Sequence, residues 1–169
     1  GSTVKIDYVG TLGPSQQSWT VDDVVECWLK NQQGLDTLIQ PFRDNNVDGQ
    51  LLFNADEFSE HFVSDVLGVS NRIQCKKIIM AAKRLRTQQD DFPEGTEFDS
   101  GSFEFVLGKG KAIKAMEMLV TTMKVGEKAE VFCRADFAYG AEGYRTKKGD
   151  VVVPPFATLK FGITLLSED

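Results

Sequence analysis

Apolar and polar residues alternate along Val4-Lys5-Ile6-Asp7-Tyr8, and again from Lys128 to Arg134 and from Thr158 to Leu166. A period of two puts successive side chains on opposite faces, so these segments predict half-buried strands. Between the first strand and the rest, from Gly13 to Glu94, the apolar positions recur at helical spacing instead. A five-residue strand does not stand alone, so the opening strand must pair with strands beyond the interruption. The expected organisation is a host in two sequence pieces, residues 1–14 and 92–169, with a helical insert at residues 15–91.

Within the insert, Thr20 followed by Asp23 fits a capping box, with Trp19 and Val24 placed as a hydrophobic staple. Val21, Val24, Val25, Trp28 and Leu29 mark one helical face; Leu35, Leu38, Ile39 and Phe42 mark a second, which Pro41 must kink or shorten. A short third helix is expected from Gln50 to Phe53 and a fourth from Glu57 towards Val66. A fifth, capped by Ser70, turns Ile78, Ala82 and Leu85 to the core. Asp44-Asn45-Asn46-Val47-Asp48-Gly49 matches the first half of a calcium loop, but position twelve is Ala55 where a bidentate glutamate is required. A capped helix-to-helix turn is the expectation there.

In the host, Thr96 to Ser100 and Phe103 to Leu107 are expected as two short strands. The turn Gly108-Lys109-Gly110 then leads into a helix whose Ile113, Met116, Leu119, Val120 and Met123 share a face, and Gly126 ends it. One amphipathic helix against an antiparallel sheet is an α+β architecture. The Gly-Lys-Gly turn is too short for a dinucleotide or P-loop fingerprint. The host has no histidine, so a histidine-dependent triad and a histidine-containing zinc site are excluded there. No metal and no cofactor are expected. Tyr8, Phe98, Phe103, Phe105, Phe137, Tyr139, Tyr144, Phe156 and Phe161 are more aromatics than a small core needs, and some can line a concave apolar site.

Composition narrows the setting. A net charge of −6 over 169 residues argues against wholesale binding to nucleic acid or to an anionic membrane. No stretch approaches a membrane span, and no signal peptide precedes the first strand. Cys27, Cys75 and Cys133 are odd in number and set apart, which suggests reduced thiols and a cytoplasmic protein, with the nucleus also open. The opening Gly1-Ser2 reads as the scar of a cleaved tag, so a longer natural chain is expected.

Two resemblances sharpen this picture. Trp19, Val24, Trp28-Leu29, Phe42, Val47-Asp48-Gly49, Leu51-Leu52, Leu67-Gly68-Val69, Arg72 and the stripe from Ile78 to Leu85 resemble the sterile alpha motif (SAM) family, an all-α five-helix bundle. That family pairs the middle of one bundle with the start of the last helix of another. The charges here are all acidic among Asp44, Asp48, Asp56, Glu57, Glu60 and Asp65, and all basic among Arg72, Lys76, Lys77, Lys83, Arg84 and Arg86. Three uses stay open: self-association or a SAM partner, two solvated faces, or an RNA contact through the basic helix.

The host carries the stronger resemblance. The segments Val4 to Leu12, Gly95 to Ser100, Phe103 to Gly108, Met123 to Glu127, Phe137-Ala138-Tyr139-Gly140 and Val153 to Leu159 resemble FKBP-type prolyl isomerases. That family's fold is a twisted antiparallel sheet wrapped on one helix, and its first edge strand has no counterpart here. The resemblance implies catalytic roles for Tyr8, Phe98, Asp99, Tyr139 and Phe161, with Asp99 a polar anchor and Tyr139 a hydroxyl donor. It implies substrate contacts from Phe103, Ala112, Ile113, Met116, Tyr144 and Val153, including the Ile113 N–H as a second donor. Met116 stands where tryptophan is usual, Lys111 where a carboxylate is common, and the 99–103 segment is shortened. The loop from Gly143 to Pro154 is longer and basic. The implied partners are a proline-containing peptide or protein and, with weakened affinity, a macrolide inhibitor. The implied activity is prolyl isomerisation of modest rate; a protein-binding scaffold without useful activity is the alternative.

Overall fold

The computed structural model describes every residue from Gly1 to Asp169. The chain divides into two compact units, one made of Gly1–Gly13 with Glu94–Asp169 and the other of Pro14–Pro93. No helix is long and apolar enough to cross a membrane.

The first unit is α+β. Strands β1 (Thr3–Leu12), β2 (Glu97–Val106), β3 (Lys128–Cys133) and β6 (Leu159–Glu168) form an antiparallel sheet in the order β2-β1-β6-β3. Two short strands, β4 (Tyr144–Arg145) and β5 (Val151–Val153), make a separate hairpin that the alternation did not predict. One face of the sheet is continuous: Val4, Ile6 and Leu12 on β1 and Leu159, Phe161, Ile163 and Leu165 on β6 are all buried. Helix α5 (Lys114–Val120) contributes Met116 and Val120 to the buried set, and Met123 follows just beyond its end. Burying such side chains is worth about 1.5–3 kcal/mol each, so this one face dominates the unit's stability.

The expected pair of strands before the helix is one strand. Ser100-Gly101-Ser102 looks like a turn, yet Gly101 takes a φ of 156°, open to glycine and rare for other residues, and β2 runs through it while pairing with Tyr8. The irregularity falls elsewhere. Gly10 pairs with Asp99 and Thr11 with Glu97, leaving Phe98 as the extra residue of a bulge. At the end of this hairpin the Leu12 N–H donates to the Thr96 carbonyl and the Gly95 N–H donates to the Leu12 carbonyl, each at 2.8 Å. The second unit therefore leaves and returns between hydrogen-bonded neighbours.

That second unit is helical. Thr20 and Asp23 form the reciprocal capping box at the start of α1 (Val21–Asp23). The helix continues as a π turn at Val24–Trp28, where the Leu29 N–H reaches the Val24 and Val25 carbonyls, and as a 3₁₀ turn at Leu29–Asn31. Another 3₁₀ turn, Asp36–Leu38, leads into α2 (Ile39–Asp44). Pro41 causes no interior break, because it falls in the first turn of α2, where a backbone N–H has no helical partner. Helix α3 (Gly49–Leu52) is capped by Asp48, whose side chain accepts from the Leu51 N–H at 2.9 Å. The helix expected from Glu57 is shorter, with a π turn at Phe62–Val66. The long α4 (Arg72–Asp91) is capped by Asn71 rather than Ser70; the Asn71 side chain accepts from both Ile73 and Gln74.

Trp28, Phe42 and Phe58 fill the centre of this unit, with ring centres 6.4 Å and 6.1 Å apart along the series. Arg43 lies within 3.2 Å of Asp22 and 3.3 Å of Glu26, tying α2 to the first helical stretch. Gly49 is required by close approach: a Cβ there would stand 2.0 Å from the Gln16 carbonyl oxygen. All three cysteines are free and buried.

Candidate active site

The β1 residues Tyr8 and Gly10 fall on the same face of the sheet as Phe161, which pairs with Gly10 from β6. Asp99 pairs with Gly10 from β2. Beyond β2 the chain reverses through Gly108 and Gly110, with φ of 83° and 68°, and enters α5 by way of Lys111, Ala112 and Ile113. These elements surround a cavity of about 190 Å³ lined by Tyr8, Asp99, Phe103, Lys111, Ala112, Ile113, Met116, Tyr139 and Phe161. The volume is several times the roughly 30 Å³ share of one water molecule, room for a five-membered ring.

Its polar groups are few and placed. The Tyr8 hydroxyl donates to Asp99 Oδ2 at 2.8 Å. Burial, that hydrogen bond and the Asp99 charge together push the Tyr8 phenol up to about 12. Burial likewise pushes the Tyr139 phenol up, with the nearby Asp99 and Tyr144 adding to it. Both tyrosines therefore remain hydroxyl donors at neutral pH. The Ile113 carbonyl accepts from the Glu117 N–H, while the Ile113 N–H precedes the helix and makes no backbone hydrogen bond.

Gly10 decides how the aromatics fit. A Cβ at this position would stand 2.5 Å from Phe98 Cζ and 2.9 Å from Phe161 Cε1. Those two rings meet edge to face with centres 5.6 Å apart, and Phe98 meets Tyr139 in the same way at 6.5 Å. Phe98 thus contacts two of the lining residues and is not among the lining itself. Tyr144 is half exposed and packs on Tyr139 at 5.4 Å, while Val153 is buried and pairs with Tyr144 across the β4–β5 hairpin.

The structure thus brings eight of the expected residues around one cavity: Tyr8, Asp99, Phe103, Ala112, Ile113, Met116, Tyr139 and Phe161. A profile of the FKBP-type peptidyl-prolyl cis-trans isomerase family matches residues 77–166, more than half of the chain. The chain belongs to the FKBP-type peptidyl-prolyl cis-trans isomerase family.

Relatives carry the same signal. The mouse peptidyl-prolyl cis-trans isomerase FKBP4 is 46% identical over 77 residues, 43% of this chain and 16% of that protein. The FK506-binding protein 1A of Emericella nidulans is 41% identical over 78 residues, 43% of this chain and 68% of the relative. Drosophila Fkbp12 is 37% identical over 78 residues, again 68% of the relative. The aligned portion thus spans about one sixth of the large relatives and two thirds of the small ones. Strand β1, with Tyr8 and Gly10, lies outside the matched 77–166 segment.

Two residues of this FKBP-family site carry no expected role in the sequence reading. Gly10 is one; its signal is a glycine inside an otherwise apolar strand face, which marks a close approach. Lys111 is the other: it stands out as a departure from the family pattern, yet it lines the cavity.

Proposed function

We infer that the chain is a peptidyl-prolyl cis-trans isomerase and that the cavity between β1, β6 and α5 is where a proline binds. The observation that carries this reading is an apolar cavity of about 190 Å³ whose polar groups are donors or held acceptors, in a chain of this family. Rotation about an X-Pro bond costs about 18–20 kcal/mol because the planar amide loses resonance as it twists. No proton need be transferred and no covalent bond broken. Phe103, Met116 and Phe161 offer an apolar surface to the ring and keep water from it. As resonance is lost the lone pair localises on the proline nitrogen and the amide becomes less polar, so an apolar surface that excludes water favours the twisted state. The Tyr139 hydroxyl and the Ile113 N–H are donors that can hold the peptide carbonyls in place. Contacts that fit the twisted state better than either planar isomer lower the barrier. Asp99, oriented by the Tyr8 hydroxyl, fixes the polar side of the site. Phe98 packs on Phe161 and Tyr139, and Tyr144 with Val153 forms the overhanging hairpin.

Met116 is a flexible floor, softer than a large ring, so the rate is modest and macrolide binding weak. NMR exchange spectroscopy on a proline peptide tests the reading. Saturable acceleration of exchange is expected, with a several-fold gain in Met116→Trp. No acceleration at high protein concentration would leave a binding scaffold.

For the helical unit Pro14–Pro93 we propose a SAM-like interaction module that recruits a like module or joins copies of the chain. Charge separation supports this. The Lys77 and Arg86 side chains hold the Gln33 and Leu52 carbonyls, whereas Arg72, Lys76, Lys83 and Arg84 stay exposed with Ile73 and Met80 on the same helix. Light scattering that shows assembly weakening with salt is the expected result. A monomer at every concentration would remove self-association. Three buried free thiols suit a reducing compartment, and we place the protein in the cytoplasm or nucleus.

A further inference from the structure

The proline cavity is lined by a cation that has no direct partner. Lys109, Lys111 and Lys114 fall within six residues that contain no acid, and all three are exposed. Lys114 is engaged elsewhere, its Nζ lying 5.4 Å from the centre of the Phe137 ring. Lys111 is different. It lines the cavity, and its ammonium forms neither a hydrogen bond nor an ion pair with the chain. Asp99 is the other charged residue of the lining and the one carboxylate, and its Oδ2 already accepts from the Tyr8 hydroxyl. The β4–β5 hairpin, whose Tyr144 packs on Tyr139, carries exposed Lys147 and Lys148 beside Asp150 in its loop, while Arg145 is tied to the Gly149 carbonyl at 3.0 Å.

A lysine ammonium on a long flexible stem at the rim of an apolar cavity meets whatever side chain flanks the bound proline. We propose that Lys111 selects substrates with an anionic side chain, carboxylate or phosphate, on a residue flanking the proline. This rests on the cavity being the isomerase site and names its substrate class. The pair forms in water-exposed surroundings, and the Asp99 charge on the same site works against it. Exposed pairs of this kind are worth a factor of about two to five.

Exchange spectroscopy on capped peptides tests the proposal, with Glu-Pro against Lys-Pro, Pro-Glu against Pro-Lys, a phosphoserine-Pro arm and a neutral Leu-Pro reference. At low salt, kcat/KM should favour the acidic member of at least one pair by about two- to fivefold, and the ratio should fall towards one in 0.5 M salt. The phosphoserine arm separates the two anion sources by the size of its preference. Lys111→Gln should abolish the preference and Lys111→Glu should reverse it. A ratio of one in the intact protein, or a preference that survives Lys111→Glu, overturns the proposal. Turnover of Leu-Pro without charge preference defeats the role of Lys111 alone; no turnover of Leu-Pro defeats the isomerase reading. In that last case the same peptide pairs, compared by chemical-shift titration, still decide whether Lys111 selects anions.

Discussion

In the helical unit Trp28, Phe42 and Phe58 are sealed from solvent and pack ring against ring, whereas in the sheet unit Tyr8, Phe103, Tyr139 and Phe161 stand around an opening of about 190 Å³. Both units are rich in aromatic side chains, so residue type does not separate a core from a site. Backbone spacing does. Helices bring three rings together at one buried centre, while Gly10 on β1 lets Phe98 and Phe161 settle against the strand beside an open volume.

Both tryptophans, Trp19 and Trp28, lie in the helical unit, and all three tyrosines, Tyr8, Tyr139 and Tyr144, lie in the sheet unit. Tryptophan fluorescence and tyrosine ellipticity therefore follow the two units separately during denaturation. The largest expected effect is Phe42→Ala, a loss of about 3–5 kcal/mol seen in the tryptophan signal. Exchange catalysis of a short peptide should be kept under native conditions. Gly10→Ala comes next. Its Cβ forces Phe98 and Phe161 to move, costing about 1–3 kcal/mol in the tyrosine signal and lowering kcat/KM on the same peptide. Equal effects of either variant on both signals would show that the units do not melt separately.

Tyr8→Phe is the mildest change, at most about 1 kcal/mol, since it removes one partly exposed hydrogen bond. Its effect is tied to pH. The folded chain holds the Tyr8 phenol up at about 12, above its unfolded value of 10, so the folded state favours the protonated form. The resulting stabilisation is fully present below pH 10 and is lost as pH rises towards 12. Absorbance at 295 nm should show a tyrosine component ionising near pH 12, and Tyr8→Phe should diminish it.

The alternation of β1 and β6 was legible because one face is buried along its whole length, and the Thr20–Asp23 box because both side chains answer each other locally. Continuity of β2 through Gly101 was not, since Ser-Gly-Ser reads equally as a turn until Tyr8 lies opposite. The cap of α4 fell to Asn71 instead of Ser70 for a similar reason. Both side chains can accept from a helix start, and local sequence does not choose between them. At the site, the expected residues came from resemblance, and eight of them meet at one cavity. Phe98 differs because a bulge is a property of strand pairing, invisible in one strand alone. The role of Lys111 was hidden because a lysine in a glycine-flanked turn looks like any solvated charge.

The most direct test uses the hydrogen bond from the Gly95 N–H to the Leu12 carbonyl. Deleting Pro14–Pro93 leaves Gly13-Glu94 as a two-residue turn between Leu12 and Gly95, with that bond closing it and glycine in the first central position that a type II′ hairpin favours. Exchange spectroscopy on a short proline peptide then compares the shortened chain with the intact one. Catalysis kept within about twofold, with salt-dependent assembly gone, is the expected result if rate resides in the sheet unit and recruitment in the helical one. A folded shortened chain that no longer accelerates exchange would contradict that division.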